Sequence, residues 1–287
     1  MLMTPFPQFW NSLFSNTEPV GYSNYNSLAV KLEKRISGGG ALINGLSLLT
    51  SFTYSRTMAA NGFLNNSSPN SNSPGGGLLD SEPFYAITGS DRTLDFAISG
   101  VWGLPIGKGG LIGKNAGGAL GHLINNWTID WIFTADSGAP IGLPNTFAFN
   151  CPQNNNSYLP KKQTWSQWLY NETPSCFTPL SNVPYTPVTV IPRVSYIRAP
   201  YVPQLAMAVA KQFVIREGLK LQFKAEAFNL TNTPLFGGPS TANPNQPIVP
   251  VPGIKPGSPG SFTGYGTIGS TQQNFPRQMQ MSLKLVF

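Results

Sequence analysis

The clearest pattern in the chain is an alternation of apolar and polar residues over its last segment, 277–287. The apolar positions are Met279, Met281, Leu283, Leu285 and Phe287, and only Val286 breaks the alternation. Successive side chains of a β-strand point to opposite faces, so the segment predicts a strand with one apolar and one polar face. Its length suits a tilted strand that crosses a bilayer, which takes roughly 9–11 residues. An edge strand of a soluble sandwich can alternate in the same way, so the rest of the chain must decide.

Six further segments alternate in the same manner, at 26–36, 42–54, 93–104, 123–136, 204–216 and 219–230. The connections between consecutive segments alternate as well. Those at 37–40, 105–122 and 217–218 are short or moderate, and those at 55–92, 137–203 and 231–276 are long. Transmembrane β-barrels have this arrangement, with short periplasmic turns and long extracellular loops, whereas soluble domains rarely contain such long loops. The pattern therefore predicts an all-β, antiparallel transmembrane barrel wall.

Composition supports a membrane wall built from strands. Charged residues make up 10% of the chain, against about 25% in a typical soluble domain. The sequence nevertheless contains no apolar run long enough for a transmembrane helix. The net charge is +7, but Lys and Arg are scattered along the chain rather than gathered in a patch, so we do not expect nucleic-acid binding.

The polar faces of these segments carry charged residues that we expect to line the barrel lumen. They are Lys31, Glu33, Arg35, Asp95, Asp130, Lys220, Lys224, Glu226 and Lys284. Such residues would set the electrostatic character of the lumen and contact a plug rather than perform chemistry.

Two lysines, Lys34 and Lys211, interrupt the apolar faces close to the predicted periplasmic ends of their strands. A lysine at the bilayer midplane costs roughly 2–4 kcal/mol, and the cost falls toward zero near the interface. We therefore expect both side chains to snorkel to the headgroups. Aromatic residues that suit the two interfaces lie near the same end (Trp102, Trp127) and near the opposite end (Tyr22, Tyr25, Tyr54).

Catalytic and cofactor chemistry is poorly supported by the sequence. His122 is the single histidine, and histidine catalysis needs carboxylate or serine partners in a shared site. One His and two Cys are too few soft ligands for a tetrahedral zinc site. The glycine-rich stretch 107–114 departs from both the P-loop and the dinucleotide-binding templates. We expect no enzyme activity, no metal and no cofactor.

Both cysteines, Cys151 and Cys176, lie in the predicted long loop 137–203. Two cysteines in one exported loop predict a disulfide, with two free thiols as the alternative. The same loop carries Tyr158, Trp165, Trp168 and Tyr170. Exposed aromatic rings can stack on a ligand, but we favour the interpretation that they form a small core within the loop.

Several blocks together resemble one receptor family. They are YNSL (25–28), LEKR (32–35), SFTYS (51–55), DR (91–92), SGV (99–101), LPIGKG (104–109), SGAP (137–140), LQFKAEAFNL (221–230) and PRQMQ (276–280). In their order and spacing, these blocks resemble the C-terminal part of a TonB-dependent outer-membrane receptor of the Oar-like type. The resemblance covers about 21–287, and residues 1–20 form an N-terminal extension before it. Such receptors resemble one another in a plugged barrel of about 22 strands.

The resemblance implies that the chain supplies seven or eight strands of an incomplete barrel in the outer membrane of a Gram-negative cell. The implied partners are membrane lipid, an N-terminal barrel segment and plug, TonB, and the barrel-assembly machinery, which would recognise the terminal Phe287. The implied function is uptake of a large scarce solute, such as a carbohydrate or a siderophore. A non-transporting adhesion or structural barrel protein and a secreted soluble β-sandwich stay open as alternatives.

The chain starts without the basic region and continuous apolar core of a signal peptide. This predicts a fragment of a longer protein or a gene start placed too late. Seven strands would leave two unpaired edges, and each unsatisfied backbone group in hydrocarbon costs several kcal/mol. We therefore expect that the isolated chain does not insert stably into a membrane.

Overall fold

The computed structural model describes residues 22–36, 45–60, 85–108, 110–144, 147–149, 159–169, 176–179 and 193–287. In chain order the elements are β1 (Tyr22–Ile36), β2 (Leu46–Ala60), β3 (Ala86–Ile87), β4 (Leu94–Gly103), α1 (Gly118–Ile124), β5 (Trp127–Asp136), β6 (Phe147–Phe149), β7 (Phe177–Pro179), β8 (Val202–Arg216), β9 (Leu219–Phe228), β10 (Val249–Pro250), β11 (Phe262–Thr263) and β12 (Gln278–Val286). Within these ranges, no helix has the length and apolar character needed to cross a membrane.

The long strands form one antiparallel sheet in the order β1-β2-β4-β5-β8-β9-β12, and the short β3 also pairs with β2. Each long strand pairs with the next long strand along the chain, so the sheet is an up-and-down meander. The prediction of an antiparallel all-β wall is confirmed. One edge of the sheet, called the turn end, carries the shorter connections, and the opposite edge, called the loop end, carries the long ones. The outermost strands β1 and β12 each pair with a single long strand among the described residues, so the described sheet is not closed.

The strand boundaries differ from the predicted ones where local backbone geometry intervenes. The prediction of a strand from residue 123 is wrong, because residues 123 and 124 belong to α1 and Asn126 has a φ of 58°, which interrupts the extended chain before Trp127. Asn229, with a φ of 49°, ends β9 at Phe228. Conversely, β2 runs beyond the predicted residue 54 to Ala60, because its last residues pair with β1 and β3.

Strand register divides the sheet into two chemically different faces, since directly paired residues share a face. One row across the long strands is Arg35, Ser47, Val101, Asp130, Ala208, Glu226 and Gln280. The row one residue further along is apolar throughout: Ile36, Leu46, Trp102, Ile129, Val209, Ala225 and Met281. Large side chains of this apolar face stay exposed, as Leu28 (62%) and Met281 (70%) show. A continuous exposed apolar surface of this width marks a contact with membrane or protein.

The main hydrophobic cluster of the described chain lies in the loops at the loop end. Its members are Ile141, Leu143, Phe149, Leu169, Cys176, Phe177, Val194, Ile197 and Tyr265. They come from the connection between β5 and β8 and from the connection between β9 and β12, so the two loops pack on each other. Trp168 packs against this core and stacks on Trp165 with ring centroids 6.2 Å apart, in agreement with the loop-core interpretation. Tyr158 and Tyr170 lie outside the described residues.

Candidate functional site

The register places every predicted lumen residue on the polar face. These residues are Lys31, Glu33, Arg35, Asp95, Asp130, Lys220, Lys224, Glu226 and Lys284. Glu33 and Arg35 form an ion pair of 3.2 Å, but both side chains are more than half exposed, so the pair contributes little to stability. That this face lines a lumen stays a prediction.

Charged side chains of β5 and β9 meet an amide side chain of β12 in one polar cluster. Lys224 Nζ lies 2.5 Å from Glu226 Oε1, and Gln280 Nε2 donates a hydrogen bond of 2.5 Å to Glu226 Oε2. The Asp130 carboxylate interacts electrostatically with the Lys224 ammonium group. The small side chain of Ala208 separates Asp130 from Glu226 in the same row, which leaves the three charged groups open to one another.

A buried aspartate organises the loop end of the sheet. Asp91 is fully buried, and its Oδ1 accepts a hydrogen bond of 2.7 Å from the backbone N–H of Thr57. Its Oδ2 accepts from Arg198 Nη2 at 2.7 Å and from Thr93 Oγ1 at 3.2 Å. The chain between β3 and β4 leaves the β2 ladder at this point, and the Asp91 carboxylate takes the place of the missing ladder acceptor.

Arg198 connects this aspartate to the next long loop. Its Nη1 donates to the carbonyl oxygen of Gly138 at 3.0 Å, and its Nε donates to the carbonyl oxygen of Ser195 at 2.8 Å. A Cβ atom at position 138 would lie 1.7 Å from the carbonyl oxygen of Ala199, so only glycine fits there. We call Asp91, Gly138 and Arg198 the loop clamp. It joins the DR and SGAP blocks of the sequence, but no motif in the sequence points to Arg198.

The loop between β9 and β12 has a separate anchor made of asparagines. Asn229 Oδ1 accepts from the backbone N–H of Thr233 at 2.9 Å, and its Nδ2 donates to the carbonyl oxygen of Phe275 at 3.1 Å. Asn274 Oδ1 accepts from the backbone N–H of Leu235 at 2.8 Å. These bonds hold the two ends of the loop side by side, so that the loop rises from a fixed base.

A family comparison agrees with this one-sided sheet and its gathered loops. The model of a family described as "Outer membrane beta barrel domain" matches residues 2–280. The chain belongs to the outer membrane beta barrel domain family. Membership places it in the outer membrane, with lipid as its surroundings. A search of curated proteins and a search of solved structures each gave no significant match.

In an outer membrane beta barrel domain, the apolar face is the one that contacts lipid. On this face Tyr22 and Tyr54 lie toward the loop end, and Trp102 and Trp127 lie toward the turn end. Tyr and Trp at these two levels fit the aromatic girdles of such barrels. Tyr25, which the sequence grouped with the outer girdle, lies on the polar face beside Thr57.

The prediction that Lys211 snorkels to the headgroups is wrong. The residue lies on the lipid-facing side but is only 1% exposed, and its Nζ donates to the backbone carbonyl oxygen of Asn125. The ammonium group lies 5.6 Å from the ring centroid of Trp127 and 5.0 Å from that of Phe213. A backbone acceptor and two aromatic faces therefore stabilise this cation within the protein.

The remaining predicted residues lie apart from these clusters. Phe287 follows β12 and is 93% exposed. Cys176 is buried and disulfide-bonded; Cys151 lies outside the described residues, so their pairing stays a prediction. His122 occupies the last turn of α1. In the described part of the chain, no three His, Cys, Asp or Glu side chains are grouped so that they could hold a metal ion.

Proposed function

We propose that the chain forms part of the wall of a TonB-dependent receptor, which takes up a large scarce solute through a plugged barrel. The observation that carries the proposal is the one-sided meander, in which β1 and β12 each pair with a single long strand among the described residues. Backbone groups on an open edge find no hydrogen-bond partner in hydrocarbon, so spanning sheets have to close. Further strands must therefore cover both edges, and a barrel of about 22 strands that holds a plug is wide enough to include this sheet.

The charges of the polar face support the part of the proposal in which the lumen holds a protein plug rather than only water. Its charges have both signs, and the cluster of Asp130, Lys224 and Glu226 offers donors and acceptors to a surface packed against it. Charge pairs of this kind fix the orientation of a partner more than they add affinity. We propose that the plug is this partner.

The structure of the loops at the loop end supports the part of the proposal in which a solute is bound outside the cell. The loop clamp and the asparagine anchor fix the bases of the long loops, and the loops share a buried core. Loops that are already ordered lose less conformational entropy when they bind a ligand. In the proposal, TonB engages the plug from the turn end, and the barrel-assembly machinery recognises Phe287. The proposal assigns no catalytic reaction to this chain.

The test is a binding experiment with the full-length protein encoded at the locus, solubilised from outer membranes in mild detergent. We expect an immobilised periplasmic domain of TonB to retain the folded protein, and to retain less of it after heat denaturation. A matched column without the TonB domain is the control. Failure to bind TonB, together with attachment to surfaces that is unchanged in a strain lacking TonB, would favour the alternative of a non-transporting adhesion barrel.

A further inference from the structure

The two faces of the sheet differ in the charged residues that they carry, because the acidic residues are confined to one face. The acidic residues of the long strands all lie on the polar face: Glu33, Asp95, Asp130, Asp136 and Glu226. The lipid-facing side carries cations only: Lys34, Arg56, Lys211 and Arg216. The lipid-facing side is therefore suited to anions.

Two of these cations are exposed at the turn end. Lys34 lies near the end of β1, on the same face as Leu48. Arg216 is the last residue of β8, and a β-bulge between Val214 and Arg216 pairs it with Leu219 of the lipid-facing side. Without the bulge, Arg216 would lie on the polar face with Val214. Bulges commonly re-aim a side chain in this way.

These two cations differ from Lys211 in what surrounds them. The protein itself supplies Lys211 with a carbonyl acceptor and two aromatic rings. Lys34 and Arg216 are exposed, and the ion pairs among the described residues include neither of them. A cation at the edge of a lipid-facing surface is best matched by a phosphate at the level of the headgroups, and a guanidinium group can bind phosphate through two parallel hydrogen bonds.

We propose that Lys34 and Arg216 bind the phosphate of anionic phospholipid headgroups in the leaflet at the turn end. The same chemistry would suit free phosphate, but both side chains lie on the face that contacts lipid, and this favours the lipid. The proposal rests on membership of the outer-membrane family and on strand register, and it is independent of the proposed uptake function.

The test measures lipid selectivity at the barrel surface. The full-length protein is reconstituted in phosphatidylcholine containing a small fraction of spin-labelled phosphatidylglycerol or spin-labelled phosphatidylcholine, and the association of each label with the protein is compared. We expect the wild-type protein to prefer phosphatidylglycerol. Removing both cations in Lys34→Gln/Arg216→Gln should lower this preference by about fivefold per cation, which corresponds to roughly 1 kcal/mol for each basic residue near an anionic surface.

The matched control is Arg35→Gln/Lys220→Gln, which removes two cations from the same end but from the polar face. It should keep the wild-type preference, as should the conservative variant Lys34→Arg/Arg216→Lys. Unchanged heat-modifiable mobility shows that each variant is folded. Equal losses of the phosphatidylglycerol preference in Lys34→Gln/Arg216→Gln and in Arg35→Gln/Lys220→Gln would overturn the proposal. The preference would then follow from the total positive charge of the protein and not from these two side chains. The same measurement is repeated in inorganic phosphate and in chloride at equal ionic strength. If the phosphatidylglycerol preference is lost in phosphate but kept in chloride, the two cations bind a soluble anion instead.

Discussion

The loop clamp offers the sharpest test of how the long loops are held. Arg198→Met removes the guanidinium group and leaves the fully buried Asp91 carboxylate without its cation. Removing one partner of a buried ion pair costs about 3–5 kcal/mol. Asp91 keeps its bonds from Thr57 and Thr93, and the Arg198 side chain is 17% exposed, so the lower end of this range applies. A loss of about 3 kcal/mol raises the population of the open loop roughly 100-fold.

Amide hydrogen exchange on the full-length protein in detergent reports this opening directly. The backbone N–H groups of Ile141 and Ala199, which bond across the clamped segments at 2.9 Å, should exchange about two orders of magnitude faster. Amides of the distant β12 should be unchanged. The exposed Lys162, substituted to Met in the same loop, is the control for a loss of charge.

The double variant Asp91→Asn/Arg198→Met tests the reason for the effect. Because it also removes the buried charge, it should be less destabilised than the sum of the two single variants. An acceleration of amide exchange below about fivefold in Arg198→Met would refute the reasoning. Strict additivity of the destabilisation in the double variant would refute it too, because the reasoning assumes that the two close charges are coupled.

Three further predictions concern other parts of the molecule. Gly138→Ala should make the loops easier for a protease to cleave, because the added Cβ would lie 1.7 Å from a carbonyl oxygen. The control Gly142→Ala, whose Cβ would have no atom within 4 Å, should keep the wild-type cleavage rate. Equal cleavage rates in the two variants would contradict this prediction. Peptide mapping without reductant should recover Cys151 linked to Cys176, and Cys151→Ser should destabilise the loop by roughly 3 kcal/mol in denaturant titrations; separate free peptides would disprove the pairing. The isolated chain 1–287 should give no urea-resistant, heat-modifiable band in detergent, because the described strands leave the sheet edges at β1 and β12 open; such a band would show that it closes by itself.

The sequence predicted the strands and faces of the sheet because period-two alternation is a local signal. Met279 and Gln280 reveal the two faces of β12 without knowledge of any other strand, and register then aligns the faces across the sheet. The same argument located the polar residues, such as Lys31 and Glu226, that share one face.

The features that the sequence did not predict depend on contacts between distant residues. Asp91 and Arg198 are 107 positions apart, and a salt bridge over such a distance has no pattern in the chain. The environment of Lys211 comes from Asn125 and from aromatic rings on two strands. The helix α1 spans only seven residues within a glycine-rich turn, too short to give a recognisable helical period.

The orientation of the two faces is the claim on which the account depends. Spin labels at consecutive positions 279–285 of β12, in the full-length protein in its membrane, measure collisions with oxygen, which dissolves in lipid, and with a water-soluble nickel chelate. The account predicts oxygen maxima at 279, 281, 283 and 285, and a two-residue period in which the chelate signal is out of phase with the oxygen signal. Collision profiles without that period, or with chelate maxima at the apolar positions, would contradict a strand that faces lipid on one side.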